Sequence, residues 1–299
     1  MIADRLELDE GTKKLAAELT RDCKSNREKL AVLAAYSQSA CTYHAIEFGR
    51  RARVPNTAAQ TLSLKYGDCK DNAMLLKQLL AGVGIPSHLT VVNSSKPLTA
   101  ELPSLDQFDH MVLYVPGDAV GQPANAIGGL IVDATNKNAD PLLFPPHGLA
   151  DKSFLVLDPA QPRVVHTPVC PLDAQQLLCQ RRVIVRADAS QSSAVEVDVQ
   201  ERLTFNSYIA PGMRSYLRSF ESGERREALQ NVLAANQNVR LKRADIEHLD
   251  DLAQPLVVYL EYSLPDAMHA VSSAASGNTV IGRVPAAWET YFLEAEYLD

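Results

Sequence analysis

Tyr66-Gly67-Asp68-Cys69-Lys70-Asp71 is the stretch on which the reading of this chain turns. An apolar run follows it, with Ala73, Leu75, Leu76, Leu79 and Leu80 at helical spacing. That spacing predicts a helix of about three turns with one apolar face. Gly82 and Gly84 end it, and Pro86 reinforces the stop. Asp68 has the chemistry of a cap, because its carboxylate accepts from a backbone N–H that the first turn leaves without a partner. Cys69 then falls in the first turn, where free N–H groups and the helix dipole favour a thiolate. A structural cysteine would lie more naturally in the middle of the apolar face. Two readings stand at this point: a nucleophile, or a small buried residue near a cap.

A nucleophilic cysteine needs a base and a group that orients the base. His110 opens the strand-like run Asp109–Val115, which ends at Pro116-Gly117. Asp133 lies near the end of a second such run, Gly129–Thr135. An acid there can accept the imidazole proton and fix the tautomer. Cysteine on a helix N-terminus, with histidine and acid on neighbouring strands, is the papain-type arrangement. The spacings alone are permissive, and the local contexts favour Cys69, His110 and Asp133 as a triad. Such a site also needs two oxyanion donors. The Cys69 backbone N–H is one; Tyr66 and Gln60 are the candidates for the other, against plain roles in packing and at the surface. Lys70 and Asp71 are expected to face solvent or brace the turn rather than react. The long polar loop 94–108 ends at His110, so it and Phe108 are expected to form one wall of the cleft. His44 is a weaker candidate base, with no acid to orient it.

These pieces, taken together, resemble the transglutaminase-like superfamily of papain-fold proteins, and within it the bacterial transglutaminase-like enzymes and cysteine proteases. The matching residues are Tyr43–Gly49, Gly67-Asp68-Cys69-Lys70-Asp71, Gly84-Ile85-Pro86, Leu102-Pro103-Ser104, Phe108-Asp109-His110 and Val132-Asp133-Ala134-Thr135. The resemblance covers about residues 15–160. It implies an α+β papain-like core, in which the family's cysteine, histidine and aspartate fall on Cys69, His110 and Asp133. It implies thiol-dependent acyl transfer or hydrolysis on a peptide-type amide, with a peptide or protein as substrate, cell-wall peptide included. Many bacterial members carry a signal peptide and a further β domain before this core. This chain shows neither and is read as a fragment or a shorter relative. A periplasmic location follows from the resemblance only if it is a fragment.

The 299 residues suit two domains. We expect a catalytic core over 1–160 and a mainly antiparallel β accessory domain over 161–299. The second half carries clean alternation at Ala194–Val199 and a strong strand at Leu256–Tyr262. Helical spacing appears at 214–221 and 224–235. Ser272–Gly277 reads as a loop, and Trp288, Tyr291 and Phe292 as core or edge material. A net charge of -7 argues against a nucleic-acid partner, and Arg50, Arg51 and Arg53 form only a small basic patch. Five cysteines make neither a disulfide scaffold nor a zinc pattern. No apolar run is long enough to span a membrane, and the acidic N-terminus is not a signal peptide. No cofactor and no metal are expected. The rival to an enzyme is a non-enzymatic interaction module on the same scaffold; a zinc site on Cys69, His110 and Asp133 is a third, lesser option.

Overall fold

The computed structural model describes residues 5–45, 49–99, 104–121, 127–187, 195–234, 238–265, 268–273 and 277–282. Ile46–Phe48 and Leu102-Pro103 of the resemblance, and Trp288, Tyr291 and Phe292, lie outside them. The chain divides into two compact units, Met1–Leu172 and Asp173–Asp299. Both mix helices with antiparallel sheet, so the fold is α+β, with a papain-like core followed by a β-rich region.

The first unit opens with α1 (Glu10–Leu19), α2 (Asn26–Ala40), β1 (Thr42–Tyr43), α3 (Ala58–Leu64), β2 (Tyr66–Gly67) and α4 (Cys69–Gly82). Each helix start is set by a short polar side chain. Asp9 accepts from Thr12 N at 2.8 Å, and Ser25 from Glu28 N at 3.2 Å. Glu28 reaches the N–H of Lys24 at 2.7 Å. Thr57 and Gln60 close a full capping box on α3, as Asp68 and Asp71 do on α4. Helix α4 is the centre of the unit. Met74, Leu75, Leu76, Leu79 and Leu80 are fully buried there, between α1, α2 and α3 and the sheet strands β3 (His88–Val92) and β4 (His110–Pro116). The sheet continues with β5 (Gly129–Val132), β6 (Ser153–Val156) and β7 (Arg163–His166), in the order β5-β4-β3-β6-β7. Every neighbouring pair in it is antiparallel. Strand β7 lies past residue 160 yet pairs with β6, Ser153 opposite His166. Separately, β1 and β2 form a short parallel pair, Tyr43 opposite Gly67.

The second unit is a sheet in the order β10-β11-β9-β8. Its strands are β8 (Leu177–Ala187), β9 (Val195–Phe205), β10 (Arg240–Glu247) and β11 (Leu256–Ser263). One face packs on α5 (Ala210–Arg218) and α6 (Arg225–Ala234) through Val199, Leu203, Phe205, Leu217, Leu229 and Leu260. Two further strands, β12 (Met268–Ser273) and β13 (Gly277–Gly282), pair antiparallel and take in Ser272, Ser273 and Gly277 of the expected loop; its residues 274–276 lie outside the described residues. No helix among the described residues is long and apolar enough to cross a membrane.

Candidate active site

Cys69 is the first residue of α4, where the capping box leaves the helix N-terminus well defined. The box is reciprocal: Asp71 N donates to Asp68 at 3.4 Å, and Asp68 N to Asp71 at 3.2 Å. Asp71 does not face solvent; it is fully buried. Its carboxylate collects the Arg51 guanidinium at 2.6 Å and the Asn56 N–H at 2.7 Å as well. A buried carboxylate is tolerated when donors and a cation surround it, and here those donors tie segment 49–56 to the start of α4. Lys70 is buried too, and its ammonium pairs with Asp68. The expectation of solvent exposure for Lys70 and Asp71 is thus corrected; bracing of the turn is what they do. Gly67 is required by the same packing, since a Cβ there would stand 2.7 Å from the Asp71 Cβ.

His110 begins β4, and Asp133 follows the last residue of the adjacent β5. The antiparallel register, Leu113 opposite Val132, brings the two close. His110 Nε2 and Asp133 Oδ2 are 2.9 Å apart. The other Asp133 oxygen accepts from Thr135 N at 2.8 Å and Thr135 Oγ1 at 2.6 Å. Gln38, buried on α2, donates to the carbonyl of Asn136 at 3.0 Å and lies 3.4 Å from that of Asp133, which fixes the chain just past β5. The Cys69 side chain is near enough to act on the same ring. Burial pushes the ring's pKa down, but the hydrogen bonds and charges of Asp133 and Cys69 outweigh it and hold the pKa up at about 10. Burial pushes Asp133 up, and the bonds from His110 and Thr135 more than reverse this, so its pKa is lowered.

Tyr43 completes the cluster. The parallel pairing of β1 and β2 sets Tyr43 opposite Gly67, two residues before Cys69, and Cys69 acts on its phenol. Burial, the Cys69 and Asp68 charges and the bond to the sulfur push the Tyr43 pKa up to about 12. The phenol is therefore a proton donor throughout the neutral range. Sequence reasoning did not single out Tyr43, because a two-residue parallel pairing has no readable period. Neither Tyr66 nor Gln60 is hydrogen-bonded to Cys69 among the described residues. Tyr66 packs edge-on against His44 with ring centroids 5.9 Å apart. Gln60 Oε1 accepts from Thr57 N at 3.0 Å and Arg5 Nη1 at 2.9 Å, so the capping box holds that side chain. Phe108 ends a 3-10 turn, Leu105–Gln107, two residues before His110.

The neighbouring Cys41 differs from Cys69. Its thiol donates to Asn72 Oδ1 at 3.2 Å, and burial with the charge of Asp71 pushes its pKa up. A thiol so held is a structural group. Among the described residues no three His, Cys, Asp or Glu are grouped to hold a metal ion.

Residues 13–117, about a third of the chain, match the model of the transglutaminase-like superfamily. The match includes Cys69 and His110 and ends before Asp133. No curated protein matches the chain. Two solved structures are similar to it. One is a "putative protease" from Parabacteroides distasonis, 14% identical, with a TM-score of 0.43 over 88% of this chain and 51% of that one. The other is a "putative cysteine protease" from Cytophaga hutchinsonii, 18% identical, with a TM-score of 0.32 over 45% of this chain and 43% of that one. The chain thus spans about half the length of the first and less of the second.

Proposed function

We propose that the first unit transfers the acyl group of a peptide-type amide through a thioester on Cys69. The observation that carries this reading is His110 hydrogen-bonded to Asp133 at 2.9 Å, with Cys69 acting on the same ring and the ring's pKa held up at about 10. In the proposed sequence the Cys69 sulfur attacks the amide carbonyl carbon and a C–S bond forms. His110 then gives its proton to the amide nitrogen, and the C–N bond breaks. Water or an amine attacks the thioester next. His110 takes the proton of that nucleophile, and the sulfur leaves as thiolate. Asp133 holds the ring in place and stabilises its charge throughout. The Cys69 N–H and the Tyr43 hydroxyl are the two donors for the carbonyl oxygen as it becomes negative.

The acyl acceptor decides the name of the reaction. We favour water, hence a cysteine protease or amidase of the bacterial transglutaminase-like type acting on a peptide or cell-wall peptide, over amine cross-linking. A panel of quenched peptides, glutamine donors with a labelled amine, and peptidoglycan-derived amides tests the choice. Intact-mass detection of an acyl adduct on Cys69 reports even slow turnover. Full activity in Cys69→Ala on the best substrate of that panel would refute the thiol reading. A non-enzymatic module predicts instead an iodoacetamide reaction at Cys69 that is indifferent to His110→Ala at every pH.

A further inference from the structure

The second unit has a basic hollow on the sheet face turned away from its core. Strand alternation sets this up. In β9, Val199, Leu203 and Phe205 enter the core, so Gln200 and Arg202 point the other way. The register places Gln180 opposite Arg202 and Arg182 opposite Gln200, with Tyr259 on the far side of Arg202. These five, together with Arg181 and Glu201, line an open hollow of about 240 Å³. Arg182 and Arg202 sit diagonally across the strand pair, so their Cα atoms are about 7–8 Å apart, near enough for both guanidinium groups to meet one ligand group. Arg202 has only a long contact, 3.8 Å, to a half-exposed Glu247. Arg182 is exposed and makes no ion pair among the described residues. The adjacent Arg181 is different: its guanidinium is paired with the buried Glu201, which also accepts from Tyr262 at 3.0 Å. The hollow therefore carries two available positive charges on a chain whose net charge is -7.

We propose that this hollow binds a carboxylate of an acidic peptide segment. Arg182 and Arg202 take the carboxylate in charge-assisted hydrogen bonds. Gln180 and Gln200 each offer an acceptor as well as donors. A phosphate would leave those acceptors idle, whereas the N–H groups of a peptide use them. Tyr259 lines the site, with the Arg243 guanidinium 5.3 Å from its ring centroid. The proposal is independent of the chemistry at Cys69.

The experiment is fluorescence anisotropy with a labelled peptide that alternates glutamate and serine, titrated with the full chain carrying Cys69→Ala. Saturable binding is expected, lost when glutamine replaces glutamate. Arg182→Gln and Arg202→Gln should each weaken it about tenfold, and the double variant should abolish it. Arg21→Gln/Arg27→Gln removes the same charge from exposed sites in the first unit and should leave binding unchanged. Raising the salt from 50 to 500 mM should weaken binding several-fold, because exposed ion pairs are screened. Thermal melting confirms that each variant is folded. No saturable binding, equal binding of the glutamine peptide, or equal losses in the two double variants would overturn the proposal. So would tight binding of inorganic phosphate in place of the peptide.

Discussion

Opposing forces act on the His110 ring, and their balance can be read by titration. Its folded pKa of about 10 lies above the ordinary 6.5. The folded state therefore binds this proton more tightly than the unfolded state does. The resulting stability is fully present below pH 6.5 and is lost as pH rises through about 10. Urea midpoints should fall between pH 7 and pH 10 in the parent and fall less in His110→Gln; equal slopes would contradict the ion-pair account. The same ring sets reactivity. His110→Ala should slow iodoacetamide alkylation of Cys69 about tenfold or more at pH 7, with the difference shrinking toward pH 10 as the parent ring loses its proton. In turnover, Cys69→Ala should remove covalent chemistry entirely. His110→Ala should follow with a loss of about 10³-fold. Asp133→Asn should be the mildest of the three, since asparagine serves as orienter in papain-like enzymes. Tyr43→Phe should lower kcat about 10²-fold with little change in KM, as expected for one oxyanion donor. A Tyr43→Phe enzyme with the parent's kcat would remove Tyr43 from the mechanism.

At the scale of the element, the start of α4 depends on Asp71 more than on the cap alone. One carboxylate joins Arg51, Asn56 and Asp68. Asp71→Ala leaves the Arg51 guanidinium without its anion and the Asn56 and Asp68 N–H groups without an acceptor, and should destabilise by about 3 kcal/mol. Gly67→Ala presses a Cβ against the Asp71 Cβ at 2.7 Å. Two rigid backbone-anchored atoms must part, which costs about 1–3 kcal/mol. Because the strain falls two residues from Cys69, Gly67→Ala should also slow alkylation of Cys69 while Asp9→Ala, on the cap of α1, does not. Denaturant midpoints and alkylation rates measured side by side check both statements.

Over the whole molecule, the buried clusters of the described residues each draw on a single unit, two in the first and one in the second. Leu75, Leu79 and Leu113 belong to one of the first unit's clusters, and Leu203, Leu229 and Leu260 to that of the second. Leu79→Ala and Leu260→Ala should each cost about 2–5 kcal/mol, the range for a buried leucine cavity. Hydrogen exchange should quicken in the unit that holds the substitution, with the other unit keeping its protection. Uniform quickening in both would show that they unfold as one cooperative body.

Much of this was legible in the residues because it is encoded at short range. The period of Leu75, Leu76, Leu79 and Leu80 predicts α4, and Asp68, Thr57 and Ser25 announce helix starts through bonds that reach only three residues. The strands of His110 and the approach to Asp133 follow from apolar runs with turn residues at their ends. What the tertiary structure decided is long-range. Pairing across 23 positions set His110 at 2.9 Å from Asp133. The β1–β2 pairing set Tyr43 opposite Gly67, close to the start of α4. Burial of Lys70 and Asp71 came from Asp68 and from segment 49–56, which no local pattern announces. Strand β7 joined the first sheet because β6 offered it an edge. Helix periods and caps are properties of neighbours in the chain, whereas register and the company a side chain keeps depend on which distant strand lies alongside.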